Sequence, residues 1–570
     1  MGVDSKSTLR VGVFICHCGV NIGGVVKVPE VVEYAKTLPN VVYAEENLYT
    51  CSSEGLSRIK EAIEEHKINR VVVASCTPRT HEPIFRATCE EAGLNKYLFE
   101  MANIRDQCSW VHMHEPEKAT QKAKDLVRMA VAKARLLEPQ EELEIDVEPS
   151  CLVIGGGIAG MTAATCIATQ GFKVYLVEKE PELGGMLRQL HKIYPTNQDA
   201  SDVMREALEN VKAHENIITL TSTVVEETEG FIGNFKVTVQ NKDGMKQRLE
   251  VGTIIVATGA DNFEPTGMYG YKEYENVITQ IELEKLLRSG QLRKPERIVM
   301  IQCVGAREEE GRTYCSRICC MTAIKNAMYI KELYPDTDVY ILLRDLQTYG
   351  KEYGKYRWKA REKNIRFIKY IPEKPPEVIS KPNGKLTVKV NHANIGEEME
   401  INCDLVVLSV PLVQHEAGRK LSQILKVPLG SDGFFFEAHV KLRPVDFATD
   451  GIYVCGTAHG PKDIGESITQ ACAAASRATI PMANKQIRTE AITAVVNEDL
   501  CIGCGRCVEV CPSTAIELRE ENGYFKAHVN PALCKGCGTC VSICPNEAIR
   551  QRHFEKKQIL AMVDAMAMGG

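Results

Sequence analysis

The chain has no apolar run approaching the roughly 18 residues that crossing a bilayer demands. Its opening, Met1 to Arg10, has no apolar core of the kind a secretory signal needs, so a cytoplasmic protein is expected. Nor is there a marked charge imbalance: a formal net charge of -6 over 570 residues offers nucleic acid no footing. The hydrophobic share of 44% and charged share of 25% are those of an ordinary soluble chain. Its length suggests roughly three or four domains. Cysteine is what the chain has in excess, 23 residues of it. In a small exported chain these would form disulfides, but in a large chain without an export signal they point to metal ligands or redox chemistry.

Four stretches separate by pattern. From Leu9 to about Leu137 (residues 9–137), strand-like runs such as Leu9–Ile15 and Arg70–Ala74 flank a helical Ser53–His66, which predicts an α/β domain with a parallel sheet. The acidic run Glu138–Glu142, up to Pro149, reads as a linker. Residues 150–484 form a second α/β block, with strands at Cys151–Ile154, Thr253–Ala257, Arg297–Ile301 and Gly451–Cys455. Residues 489–551 are dense in Cys, Gly and Pro, and 553–570 read as a partly helical tail, a surface appendage unless Met562, Met566 and Met568 dock it.

The third block carries the most specific motif. Cys501, Cys504, Cys507 and Cys511-Pro512 are spaced C-x2-C-x2-C-x3-C-P, and Cys534, Cys537, Cys540 and Cys544-Pro545 repeat the spacing. That doubled run is the signature of a bacterial two-cluster ferredoxin, in which the fourth cysteine of each run reaches the other cluster. One [4Fe-4S] cluster is therefore assigned to Cys501, Cys504, Cys507 and Cys544, the other to Cys534, Cys537, Cys540 and Cys511. Paired zinc knuckles are the alternative, and the closing C-P of each run speaks against them.

The second block opens with a dinucleotide fingerprint. Cys151–Ile154 leads into Gly155, Gly157 and Gly160, spaced G-x-G-x-x-G, and then a helix. A second strand, Lys173–Val177, ends at Glu178 and Lys179, where an acid that holds a ribose hydroxyl is expected. Gly184-Gly185 follows, and Ala257-Thr258-Gly259 ends a later strand. These two pieces favour FAD over NAD, and the block resembles the thioredoxin-reductase-like flavoprotein fold. By that resemblance the closing segment Tyr453–Ala458, with Gly456, passes near the flavin. The helix start around Gly465, Ser467 and Gln470 then lies near the isoalloxazine.

Flavoproteins of that fold carry a second glycine loop for NADPH. Here Arg297–Ile301 is followed by Gln302-Cys303-Val304-Gly305-Ala306, with no such loop. Cys315, Cys319 and Cys320 come soon after; on one helix, Cys315 and Cys319 would share a face. Cys303, Cys315, Cys319 and Cys320 are candidate ligands of a third cluster, against a reading as buried thiols plus one redox pair. The C-x-x-C active site of a thioredoxin reductase is absent.

The order of these elements resembles the A-subunit family of heterodisulfide reductase, an iron–sulfur flavoprotein. Supporting stretches are Cys16-His17-Cys18-Gly19, Ala74–Pro83, Asn103-Ile104-Arg105, Ile301–Gly305 and Tyr314–Met321. The resemblance implies an α/β multidomain chain: an N-terminal α/β domain, a thioredoxin-reductase-like FAD domain and a C-terminal α+β two-cluster ferredoxin domain. The full-length family form carries a further ferredoxin module inserted in the flavin domain, and nothing interrupts Glu229–Thr253 here, so this is a short form. Cys16, Cys18, Cys51, Cys76, Cys89 and Cys108 are too scattered for spacing to decide between ligand and core.

Implied by the resemblance is an oxidoreductase active within a complex. It passes electrons between a hydrogenase or dehydrogenase partner, the flavin and the clusters, toward subunits like heterodisulfide reductase B and C. Ferredoxin is a further candidate partner, flavin-based bifurcation is left open, and the flavin-bearing chain is expected as a homodimer. The alternatives are a self-contained NAD(P)H-dependent flavin oxidoreductase and an electron-wiring subunit of a quinone-linked complex.

Overall fold

Alternating β-branched runs and amphipathic helices place three all-parallel sheets in the computed structural model, which describes residues 8–382, 384–521 and 523–568. The start of the amino-terminal stretch and the last two residues of the tail lie outside these. Five of the helices position the sites: α1, Pro116–Ala134; α2, Ile158–Thr169; α3, Cys319–Leu333; α4, Ile464–Asn484; and α5, Lys556–Ala567. The chain divides into two compact units. One runs to Glu144 and resumes at Arg488; the other is Ile145–Ile487.

In the first unit four parallel strands lie in the order Val41–Asn47, Val11–Cys16, Arg70–Ser75, Phe99–Asn103. Val11–Cys16 is buried throughout, as a strand covered on both faces must be. The cysteine-rich segment joins the same unit. It is built of two antiparallel pairs, Ala494–Val496 with Ile549–Gln551 and Ile516–Glu521 with Tyr524–Val529. The Ala491 N–H donates to Tyr97 Oη at 3.2 Å, tying it to the N-terminal sheet.

The tail is no loose appendage. Helix α5 lies along α1, where Arg128 Nε donates to the Ala565 carbonyl at 2.6 Å and Gln558 Nε2 to the Leu136 carbonyl at 3.0 Å. Gln558 and Ala565 are buried and Met562 is half-buried, while Met566 and Met568 are exposed, so the last two methionines stay outside the contact.

The second unit holds two five-stranded parallel sheets. The first is ordered Ile452–Val454, Thr253–Val256, Ser150–Ile154, Lys173–Val177, Ile217–Leu220. The second is ordered Val277–Thr279, Leu405–Leu408, Arg297–Ile301, Asp338–Leu343, Arg366–Lys369. Between Thr223 and Val251 three antiparallel strands follow one another through short turns, with no room for an inserted module.

Candidate flavin cavity and thiol clusters

Gly155 ends the first strand of the flavin fingerprint at φ +109°, a backbone that favours glycine, and a Cβ there would sit 2.3 Å from the Ala257 carbonyl oxygen. The chain then enters α2, whose first-turn residues Ile158 and Ala159 line a cavity of about 770 Å³. That is a size suited to a cofactor, in the roughly 300–1,000 Å³ range of ligand pockets. Gly155, Gly157, Glu178, Lys179, Gly185, Ala257, Thr258 and Gly259 line it, all singled out from sequence. A Cβ on Gly157 would meet nothing within 4 Å, so the glycine leaves open space where a pyrophosphate can approach. Glu178 is held by two backbone donors, Gly156 N–H at 2.6 Å and Glu180 N–H at 2.9 Å. Thr258 Oγ1 is buried and has no protein partner. Glycine cradle, helix N-terminus, acid and orphaned hydroxyl together fit FAD.

Five predicted residues stand off the cavity. Gly160 packs helix on strand, since a Cβ there would fall 1.8 Å from the Gly155 oxygen. Gly184 makes a turn at φ +124°, and a Cβ on Gly456 would press on Ala159 at 2.7 Å. Gly465 and Gln470 do not line the cavity; Ser467, named with them, does, alongside Asp463 and Ile464 at the α4 start. Gln470 lies a turn deeper, its Nε2 2.7 Å from His459 Nδ1, in a chain that continues from His459 Nε2 to Glu437 at 2.7 Å.

Sequence reading also missed Lys462, Glu284 and Lys325 in the wall. Burial, reinforced by the Arg317 charge, pulls the Lys462 ammonium down to about 8. Lys325 and Glu284 form an ion pair exposed by only 4% and 0%. Lys325 also donates to the Lys192 carbonyl at 2.6 Å, and Glu284 accepts from the His191 N–H at 2.9 Å. Only tertiary packing brings these groups to one wall; they carry no motif.

Cys303, Cys315, Cys319 and Cys320 come together. The other three raise the Cys319 thiol after burial does, and burial pushes Cys320 up to about 12, with Cys303 and Cys315 adding to it. The loop after Arg297–Ile301 turns at Cys303 with φ +61°. Cys315 is not on a helix, because α3 begins only at Cys319. The backbone ahead of α3 passes through positive φ at Arg317, whose guanidinium pairs with Glu466 of α4 at 2.5 Å. The quartet thus converges through a loop and a helix start rather than through one helical face. Cys319 also lines the flavin cavity.

In the cysteine-rich segment, Cys501, Cys504, Cys507 and Cys544 surround one small cavity. Cys540 is raised to about 11, first by burial and then by Cys534, Cys537 and Cys511, the complementary set. Backbone N–H groups approach four sulfurs in matched pairs: Ala527 to Cys501 at 3.4 Å and Ala494 to Cys534 at 3.4 Å, Ala548 to Cys544 at 3.3 Å and Ala515 to Cys511 at 3.2 Å. Such donors stabilise charged cluster sulfur. Among the described residues no three His, Cys, Asp or Glu side chains close tightly enough to clasp a single ion. A cluster asks for a wider ring, with each thiolate on its own iron.

The N-terminal domain gathers thiols too. Cys16 Sγ accepts from the N–H groups of Cys18 at 3.2 Å and Thr50 at 3.4 Å. Burial raises Cys51 and Cys76, and both also feel Cys16 and Cys18. Arg105 reaches Cys18 Sγ at 3.6 Å. Cys89 and Cys108 stand apart, buried in the core.

The family model "Pyridine nucleotide-disulphide oxidoreductase" matches residues 149–478, and "4Fe-4S dicluster domain" matches 500–548. Thioredoxin reductase from Lactococcus lactis overlays 59% of this chain and 100% of its own at TM-score 0.42 and 20% identity. The second of the iron–sulfur A subunits of CoB–CoM heterodisulfide reductase in Methanopyrus kandleri is 44% identical, covering 97% of this chain and 98% of its own. The A subunit of the H2:CoB–CoM heterodisulfide,ferredoxin reductase of Methanothermobacter marburgensis is 43% identical, covering 99% of both chains. That alignment runs over 657 positions against the 570 residues here, so the relative carries residues with no counterpart in this chain. With its cavity for FAD, its dicluster domain and this identity along almost its whole length, the chain belongs to the A-subunit family of heterodisulfide reductase.

Proposed function

We propose that the chain is the flavin-bearing electron hub of a cytoplasmic heterodisulfide-reductase-like complex, an oxidoreductase that works within its assembly. FAD supplies exchange between electron pairs and single electrons, and [4Fe-4S] clusters carry the single electrons. The observation that carries the reading is Cys319, which belongs at once to a thiol quartet and to the wall of the flavin cavity. A cluster held by Cys303, Cys315, Cys319 and Cys320 would adjoin the flavin without an intervening domain.

The remaining residues bind and orient. The α2 N-terminus and Gly157 take the pyrophosphate, and Glu178 takes a ribose hydroxyl. Lys462 and the Lys325–Glu284 pair set the charge of the cavity wall. The two ferredoxin sets provide the exit, and Cys16, Cys18, Cys51 and Cys76 are a fourth candidate cluster site. The name of the Methanothermobacter relative speaks of H2, a heterodisulfide and ferredoxin. By that likeness the partners here are B- and C-like subunits and a hydrogenase or dehydrogenase, around a homodimer of this chain.

The test is an anaerobic tagged pull-down from the native cell with mass spectrometry. Recovery of B- and C-like subunits with a hydrogenase or dehydrogenase supports the hub. A lone chain whose flavin NADPH bleaches rapidly overturns it and leaves a free-standing oxidoreductase.

A further inference from the structure

Two cysteines belong to none of these thiol sets and are not sealed in the core. Cys166 is half-buried on the third turn of α2, and Cys472 is exposed on the third turn of α4. Their sulfurs lie 3.7 Å apart. The helices can approach so closely because alanines fill their contact: Ala163, Ala164 and Ala168 from one, Ala471, Ala474 and Ala475 from the other, all in one core cluster. Neither cysteine lines the flavin cavity. By contrast Cys151, Cys403 and Cys455, the other cysteines of this unit outside the quartet, are buried.

We infer that Cys166 and Cys472 form a dithiol–disulfide centre that exchanges with low-molecular-weight disulfides. Cys472 is the sulfur a small disulfide can reach. Its thiolate attacks one sulfur of that molecule, the old S–S bond breaks, and the first small thiolate leaves with the bonding pair. Cys166, whose thiol burial pushes up to about 11, waits protonated behind it. It gives up its proton, attacks the Cys472 sulfur and expels the second small thiolate. Two protein thiols are thereby oxidised by two electrons, one small disulfide is reduced to two thiols, and the two protein protons end on those thiols. A disulfide needs its sulfurs at about 2.05 Å, a closure that side-chain rotation supplies when the helices already touch.

The bridge has a structural consequence. The first turns of α2 and α4 both line the flavin cavity, through Ile158 and Ala159 and through Ile464 and Ser467. A covalent link two turns behind them pins the two helices that face the cofactor, and it joins residues far apart in sequence, where cross-links restrict the unfolded chain most.

The experiment incubates the anaerobic full-length holoprotein with oxidised glutathione, blocks free thiols and maps the unreduced digest by mass spectrometry. The expected product is a Cys166–Cys472 cross-linked peptide free of glutathione, with a raised melting temperature that Cys166→Ser and Cys472→Ser both abolish. Cys166→Ser should instead retain glutathione on Cys472. A wild-type protein that keeps glutathione on Cys472, or that leaves both thiols free, overturns the inference. FAD and iron content, measured in the same samples, separate this outcome from loss of the cofactors.

Discussion

Gly157 and Gly160 stand three positions apart in one fingerprint and answer to different demands. A Cβ at 157 enters open space at the cavity, whereas a Cβ at 160 collides with the Gly155 oxygen. Gly157→Ala should therefore fold normally and lose FAD affinity, read as flavin released on dilution. Gly160→Ala should cost at least the ~1–3 kcal/mol of an overpacked contact and lower the unfolding midpoint even without FAD. Lys462 makes a prediction in pH. Its folded pKa of about 8 lies below the ordinary lysine value, so the folded state disfavours its charge. That penalty is fully present below about pH 8 and is relieved as pH rises from there toward the unfolded value. Between pH 7 and 10 the wild type should gain stability relative to Lys462→Met, seen as converging melting temperatures.

At the scale of elements, the loop after Arg297–Ile301 is the informative one. A parallel sheet of the dinucleotide-binding kind ends there in Cys303 instead of a glycine loop, and the strand leads into the quartet completed by α3. Cys303→Ser should remove about four iron atoms per chain while leaving the flavin bound, since Cys303 does not line its cavity. Iron assay with the visible spectrum of the flavin checks both halves. Cys315 and Cys319 would share a face only on one helix, and helical spacing says nothing about where a helix starts; Arg317 takes a positive φ that no right-handed helix accommodates, and α3 begins only at Cys319.

For the whole molecule the thiol sets add up to a testable stoichiometry. Three clusters give about 12 iron atoms per chain, and a loaded N-terminal quartet gives about 16. Anaerobically purified protein should approach the higher figure, and Cys16→Ser should lower it by about four while the dicluster spectrum persists. An unchanged iron count in Cys16→Ser would return those thiols to the core.

What the sequence by itself determined was whatever is written in local spacing. The two C-x2-C-x2-C-x3-C-P runs place their thiols by short turns, and the Gly155–Gly160 fingerprint is confined to one strand–helix junction; both are legible because the residues of each motif are neighbours in the chain. The strands Lys173–Val177 and Arg297–Ile301 were equally legible, being β-branched runs buried within parallel sheets. Tertiary structure alone decided the rest. Cys16 meets Cys51 and Cys76 only because adjacent parallel strands end side by side, and Cys166 meets Cys472 only because two alanine-rich helices pack. Lys325 finds Glu284 across a cavity wall, and the tail finds α1 through Gln558 and the Ala565 carbonyl. Contacts between residues distant in sequence depend on how buried surfaces fit, and no spacing rule encodes that.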